Sequence, residues 1–125
     1  MNIRVRSILE HMLQDALDAQ NFADEVGNLE AFSVNKLYRK AIIMSILNIG
    51  ELAKSLPHDY KVLYDEIPWR KITGMRDVAA HGYHEMDDDI VWDVVKYSIP
   101  DLVTFIEKQL QQHPLSAEPP YLCRK

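Results

Sequence analysis

Residues 33–56 read SVNKLYRKAIIMSILNIGELAKSL. Val34, Leu37, Tyr38, Ala41, Ile42, Ser45, Ile49, Leu52 and Leu56 recur at steps of three and four, the period of one helical face. The middle, Ala41 to Leu47, is apolar nearly all round, so the helix must be covered on most sides by its own fold or by a second chain. Ser33 offers an N-cap, and Pro57 ends the run. A long, mostly buried helix at the centre of the chain makes the fold all-α.

Outward from it, the pattern persists in both directions. Val5, Ile8, Met12, Ala16, Ala19, Ala23 and Val26 form a stripe over about residues 4 to 26, and Gly27-Asn28 is a suitable stop. His58 to Tyr64 can form a short helix. Pro68 suits the first position of the next one, where its missing N–H costs nothing. Ile72, Met75 and Val78/Ala79 give that helix a buried edge, and Gly82 lets the chain turn at His81. One of Asp87, Asp88 and Asp89 should cap a last long helix, which Pro100 should kink or break. A cation site on these aspartates is the competing reading. The expected architecture is an antiparallel bundle of about four to five helices over residues 1–112. An extended tail follows over 113–125, with three prolines and the sole cysteine, Cys123. The apolar central helix makes a homodimer a natural solution.

With 125 residues and 47% apolar side chains, the chain holds one ordinary core. A formal charge of −5 excludes a protein that coats nucleic acid by bulk electrostatics, so contact with RNA would need a local patch. Lys36-Arg39-Lys40 and Arg70-Lys71 could supply one, or could be solvated faces. One cysteine rules out an internal disulfide, and neither a signal peptide nor a membrane span is legible. The expectation is a cytoplasmic protein.

The segment richest in chemistry is Gly74 to His84, GMRDVAAHGYH. Arginine clamps phosphate through planar paired hydrogen bonds, and histidine carries protons near neutral pH. Together they suit RNA cleavage by the 2′-hydroxyl, which needs no metal. Spacing alone leaves a plainer alternative open, with Arg76 a surface arginine paired to Asp77 or Glu85 and His81 a helix C-cap.

Arg76, four residues, His81, one residue and Tyr83 make up the Arg-x4-His-x-Tyr motif, and the chain here resembles the HepT-like toxins of the HEPN superfamily. Asn48 to Lys54, Ile67 to Arg76 and Ile90-Val91-Trp92 resemble that family's flanking segments, in order, over about residues 3 to 112. The resemblance implies a dimeric HEPN bundle acting as a metal-independent endoribonuclease toxin of a type VII-like toxin–antitoxin pair. Arg76 would bind phosphate and His81 would act as general acid or base. It also implies that a partner minimal nucleotidyltransferase, the antitoxin, transfers AMP from ATP to Tyr83, with no other cofactor. Asp77 departs from the asparagine that many members carry after the arginine. A non-catalytic module that binds nucleotide, RNA or protein is the alternative. Asp77, His84, Asn48 and Glu51 are candidate supporting residues; Ser45, Asn48 and Glu51 recur every three residues on the apolar helix and could brace Arg76 or a dimer interface.

Overall fold

The computed structural model describes residues 2–82 and 85–112, with side chains throughout except at 78–81. The tail expected over 113–125 lies outside the described residues. Within them the chain is helical and contains no strand. The helices are α1 (Ile3–Val26), α2 (Leu29–Val34), α3 (Lys36–Ser55), α4 (His58–Leu63), α5 (Trp69–Gly82), α6 (Asp88–Asp93) and α7 (Ile99–Gln112). A π-helical turn, Val94–Ser98, joins α6 to α7.

The first helix follows its sequence pattern. Asn2 caps it, accepting from Arg4 N–H at 2.7 Å, and Val5, Ile8, Leu9, Met12, Ala16, Ala19 and Ala23 form its buried stripe. Gly27 ends it at φ 96°, a conformation that costs glycine nothing, and its N–H donates to the Ala23 carbonyl at 2.9 Å.

The next boundary differs from the reading of Ser33 as cap. Asn35 caps α3 instead, its side-chain oxygen accepting from Tyr38 N–H at 3.1 Å. The residues before it form the separate helix α2, capped by Asn28. The reason is Phe32, which is fully buried and packs 5.4 Å from the Trp92 ring. Seating Phe32 there makes the chain break before α3, and it leaves Val34 and Leu37 exposed although their spacing fits the stripe. Asn35→Ala is expected to cost about 1 kcal/mol, the usual worth of such a cap, measured as a lower denaturant midpoint at unchanged slope.

Helix α1 lies between α3 and α7, and α5 packs on α3. Leu9, Met12, Ile42, Ile43, Ile49, Leu102 and Ile106 fill the centre. Ile72 and Met75 of α5 are half-buried against this core. Val78 and Ala79, expected on the same edge, have no described side chains.

Pro68 immediately precedes α5, and its carbonyl accepts from Ile72 N–H at 3.1 Å. Trp69 anchors the start of the helix. Its ring lies 5.9 Å from that of Phe105, and its indole N–H donates to the Tyr64 carbonyl at 3.0 Å. The last long helix does not break at Pro100. It widens into the π turn just before the proline, where Ile99 N–H reaches the Val94 carbonyl. Absorbing the missing donor in a wider turn keeps α6 and α7 continuous.

Candidate functional site

The contact between α3 and α5 is set by one residue without a side chain. A Cβ at Gly50 would collide with Arg76 Cβ, stand 3.0 Å from the Ile72 carbonyl oxygen and 3.3 Å from Arg76 Cγ. The stem of Arg76 therefore rests on the backbone of α3, and Glu51, the next residue, meets its head.

Glu51 Oε1 lies 2.8 Å from Arg76 Nε, and Arg76 Nη2 donates to Glu51 Oε2 at 3.3 Å. The Nε contact is an ion pair without hydrogen-bond alignment. On the other side Arg76 Nη1 donates to Asp77 Oδ1 at 2.7 Å. The Arg76 side chain is 26% exposed, against 48% for Glu51 and 57% for Asp77. The hydrogen bond it donates to Asp77 and then the charge of Glu51 hold the guanidinium above its ordinary pKa, with partial desolvation opposing them. The cation is thus permanent and clasped by acids on two sides.

Of the two acids the plainer reading offered Arg76, Asp77 is the partner. The second acid is Glu51, 25 residues back, and not Glu85. Asn48 serves a different joint. It faces Asp15 of α1, where burial raises the carboxyl above its ordinary pKa and the Asn48 side chain partly offsets that rise. Ser45 is buried in α3. Arg39 is tied to Asp88 at 2.8 Å and to the Met86 carbonyl at 3.3 Å, so that part of the basic cluster braces α3 against α6. Asp87 takes the N-cap role expected of one of the three aspartates, accepting from Asp89 N–H at 2.9 Å. Among the described residues no acidic, histidine or cysteine cluster could hold a metal ion.

The backbone of His81 lies inside α5, which runs on to Gly82, so the turn expected at His81 does not occur there. Five residues on one helix set the Cα positions of Arg76 and His81 about 140° apart around the axis. The His81 side chain, Tyr83 and His84 lie outside the described residues.

An open groove of about 530 Å³ runs between α4 and α5, with Lys61, Asp65, Trp69, Arg70, Thr73 and Asp77 among its lining residues and Arg76 outside them. Lys61 Nζ donates to the Ala53 carbonyl at 3.1 Å, which fixes α4 against the end of α3. Arg70 is exposed on the groove wall. Chemically, the site offers a fixed cation clasped by two acids, and the neighbouring groove carries two basic groups, Lys61 and Arg70, against two acids, Asp65 and Asp77.

Gly50 is the residue the sequence reading passed over. Its signal was present: a lone glycine within a long apolar helical run costs up to about 1 kcal/mol relative to alanine, and so calls for a reason.

Residues 12–109 match the family model described as Ribonuclease HepT-like. A protein of Thermococcus cleftensis named probable ribonuclease HepT is 36% identical over 99 residues, covering 77% of this chain and 90% of its own. A candidate RNase of Methanocaldococcus jannaschii is 32% identical over 83% of this chain and 85% of its own. One of Caldanaerobacter subterraneus is 30% identical over 86% and 95%. No solved structure gives a significant match. Among the described residues no helix is long and apolar enough to cross a membrane.

Proposed function

The chain belongs to the HepT-like ribonuclease family, and from that premise we propose that it is a metal-independent endoribonuclease toxin whose phosphate clamp is Arg76. The observation that carries this reading is the seating of Arg76: its stem rests on Gly50 and its head meets Glu51. A fixed guanidinium can hold a phosphodiester and offset the charge that grows on the phosphorane. His81 is assigned the proton transfers. One moves a proton from the 2′-hydroxyl, and one delivers a proton to the departing 5′-oxygen. The products are a 2′,3′-cyclic phosphate and a 5′-hydroxyl. RNA incubated with the purified chain in excess EDTA should be cut to these ends; intact RNA would refute the activity.

The toxin is assigned a partner, a minimal nucleotidyltransferase antitoxin. That enzyme would transfer AMP from ATP to the Tyr83 hydroxyl and release pyrophosphate. An anionic adduct within the motif would compete with substrate phosphate for Arg76. Intact-mass measurement of the chain co-expressed with its neighbouring gene tests this. A gain of AMP mass that Tyr83→Phe abolishes supports the switch.

The active form is assigned as a homodimer. Ile90 and Tyr97 are 52% and 72% exposed, and they flank an open depression with Lys71 of α5. Such a patch suits burial against a second copy. Tyr97→Asp is expected to halve the sedimentation mass at micromolar concentration. A monomeric parent, or an unchanged dimer in the variant, would contradict this face.

A second reading has one observation behind it. Two carboxylates on one guanidinium leave a local net charge of −1, which resists phosphate. A non-catalytic module would bind RNA or nucleotide through the same residues and cut nothing.

A further inference from the structure

We infer that Glu51 is the positioning residue of the site: it fixes the Arg76 guanidinium by its Nε/Nη2 edge and leaves the outer N–H groups for phosphate. The inference rests on the ribonuclease reading and names a residue beyond its motif.

A guanidinium has five N–H donors in a rigid fork. Glu51 faces Nε and Nη2 at 2.8 and 3.3 Å, and Asp77 takes one hydrogen of Nη1 at 2.7 Å. One N–H remains on each Nη atom. That pair can still meet two phosphate oxygens.

The two acids differ in what they can fix. Asp77 follows Arg76 on α5, so its bond to Nη1 joins two residues of one helix and does not itself tie the arginine to α3. Glu51 is on α3, one residue after Gly50, where the helices approach so closely that a Cβ would not fit. Helix-to-helix packing therefore sets the Glu51 carboxylate against the guanidinium. At 48% and 26% side-chain exposure the pair is screened by solvent, so it contributes little to stability. Its value lies in orientation. An arginine free to swing would meet the phosphate in many poses, and a misplacement of about 1 Å can cost on the order of 100-fold in rate. The arrangement also has an electrostatic cost, because the Glu51 charge opposes an incoming phosphate. Glutamine would keep an acceptor for the Arg76 edge while removing that charge.

The test compares the parent chain, Glu51→Ala and Glu51→Gln in RNA cleavage, in thermal melting and in binding of a cleavage-resistant 2′-O-methyl oligoribonucleotide. Glu51→Ala is expected to lose at least about tenfold in kcat with an unchanged melting midpoint. Glu51→Gln is expected to recover most of that loss, to lower KM and to bind the oligonucleotide more tightly than the parent. Loss of kcat in glutamine equal to that in alanine would make Glu51 a proton carrier and overturn the assignment. Parental kcat in alanine, or a loss that merely tracks a lower melting midpoint, would overturn it too. Should the parent cut no RNA, the ribonuclease reading falls by itself and the binding arm decides. Arg76-dependent binding that strengthens in Glu51→Gln upholds Glu51 as a brake and brace on Arg76, and unchanged binding removes it.

Discussion

Arg76→Ala is expected to reduce kcat/KM for RNA cleavage by at least about 100-fold, the scale seen when one group that stabilises a developing oxyanion is removed. The fold should survive. The contacts of Arg76 to Glu51 and Asp77 are both partly exposed, and such pairs are worth at most about 1 kcal/mol. Some packing is lost as well, since the arginine stem covers Gly50. The expected signature is therefore a large kinetic loss with a small fall in melting midpoint. Arg76→Lys should not restore activity. A lysine has one compact ammonium, and it cannot engage Glu51 on one edge while presenting two parallel donors on another. Substantial activity in Arg76→Lys would show that only a positive charge is needed there, and the edge-by-edge account of the site would fail.

Gly50→Ala is the second large effect, and here two terms oppose each other. In a helix interior the exchange ordinarily stabilises, by up to about 1 kcal/mol, because glycine loses the most backbone freedom on folding. At this position the new methyl would strike Arg76 Cβ and press on the Ile72 carbonyl oxygen at 3.0 Å. Neither is the far end of a flexible chain, so α5 must move away from α3. Overpacking of this kind costs about 1–3 kcal/mol, which outweighs the propensity gain. A lower melting midpoint is expected, together with a loss of cleavage larger than the fraction unfolded explains, because Arg76 rides on the displaced helix. A raised midpoint at full activity would mean that the helices have room to spare. The seating of Arg76 would then carry no mechanism.

What the sequence disclosed and what it withheld divide along a physical line. Local rules predicted α1 well: an uninterrupted stripe and a glycine stop fixed both its length and its buried face. The start of α3 was misread because Ser33 and Asn35 are both competent caps two residues apart. The choice between them is made by Phe32 burying itself against Trp92, a contact 60 residues away in the chain. Pro100 was rightly marked as a disturbance. Whether a helix breaks or widens there depends on the packing of Val94, Val95 and Ile99 on the core, which keeps the segment in line.

The candidate site shows the same division. Arg76 stood out through its neighbours in sequence, and Glu51 through its spacing on a helix. Their pairing was not legible, since it arises from the crossing of α3 over α5. Gly50 was invisible as a site residue for the same reason: its importance lies in what touches it. Asn48 has Glu51's periodicity, yet it faces Asp15 of α1, because three residues along a helix turn a side chain by about 60° toward another neighbour.

The most direct test of the account is the chemistry of the cut. Purified chain is incubated with RNA in excess EDTA, beside the Arg76→Ala/His81→Ala double variant, and the new ends are identified. The account requires 2′,3′-cyclic phosphate and 5′-hydroxyl ends from the parent chain and intact RNA from a folded double variant. Cleavage that persists in the double variant, or uncut RNA from an unmodified and folded parent, would contradict it.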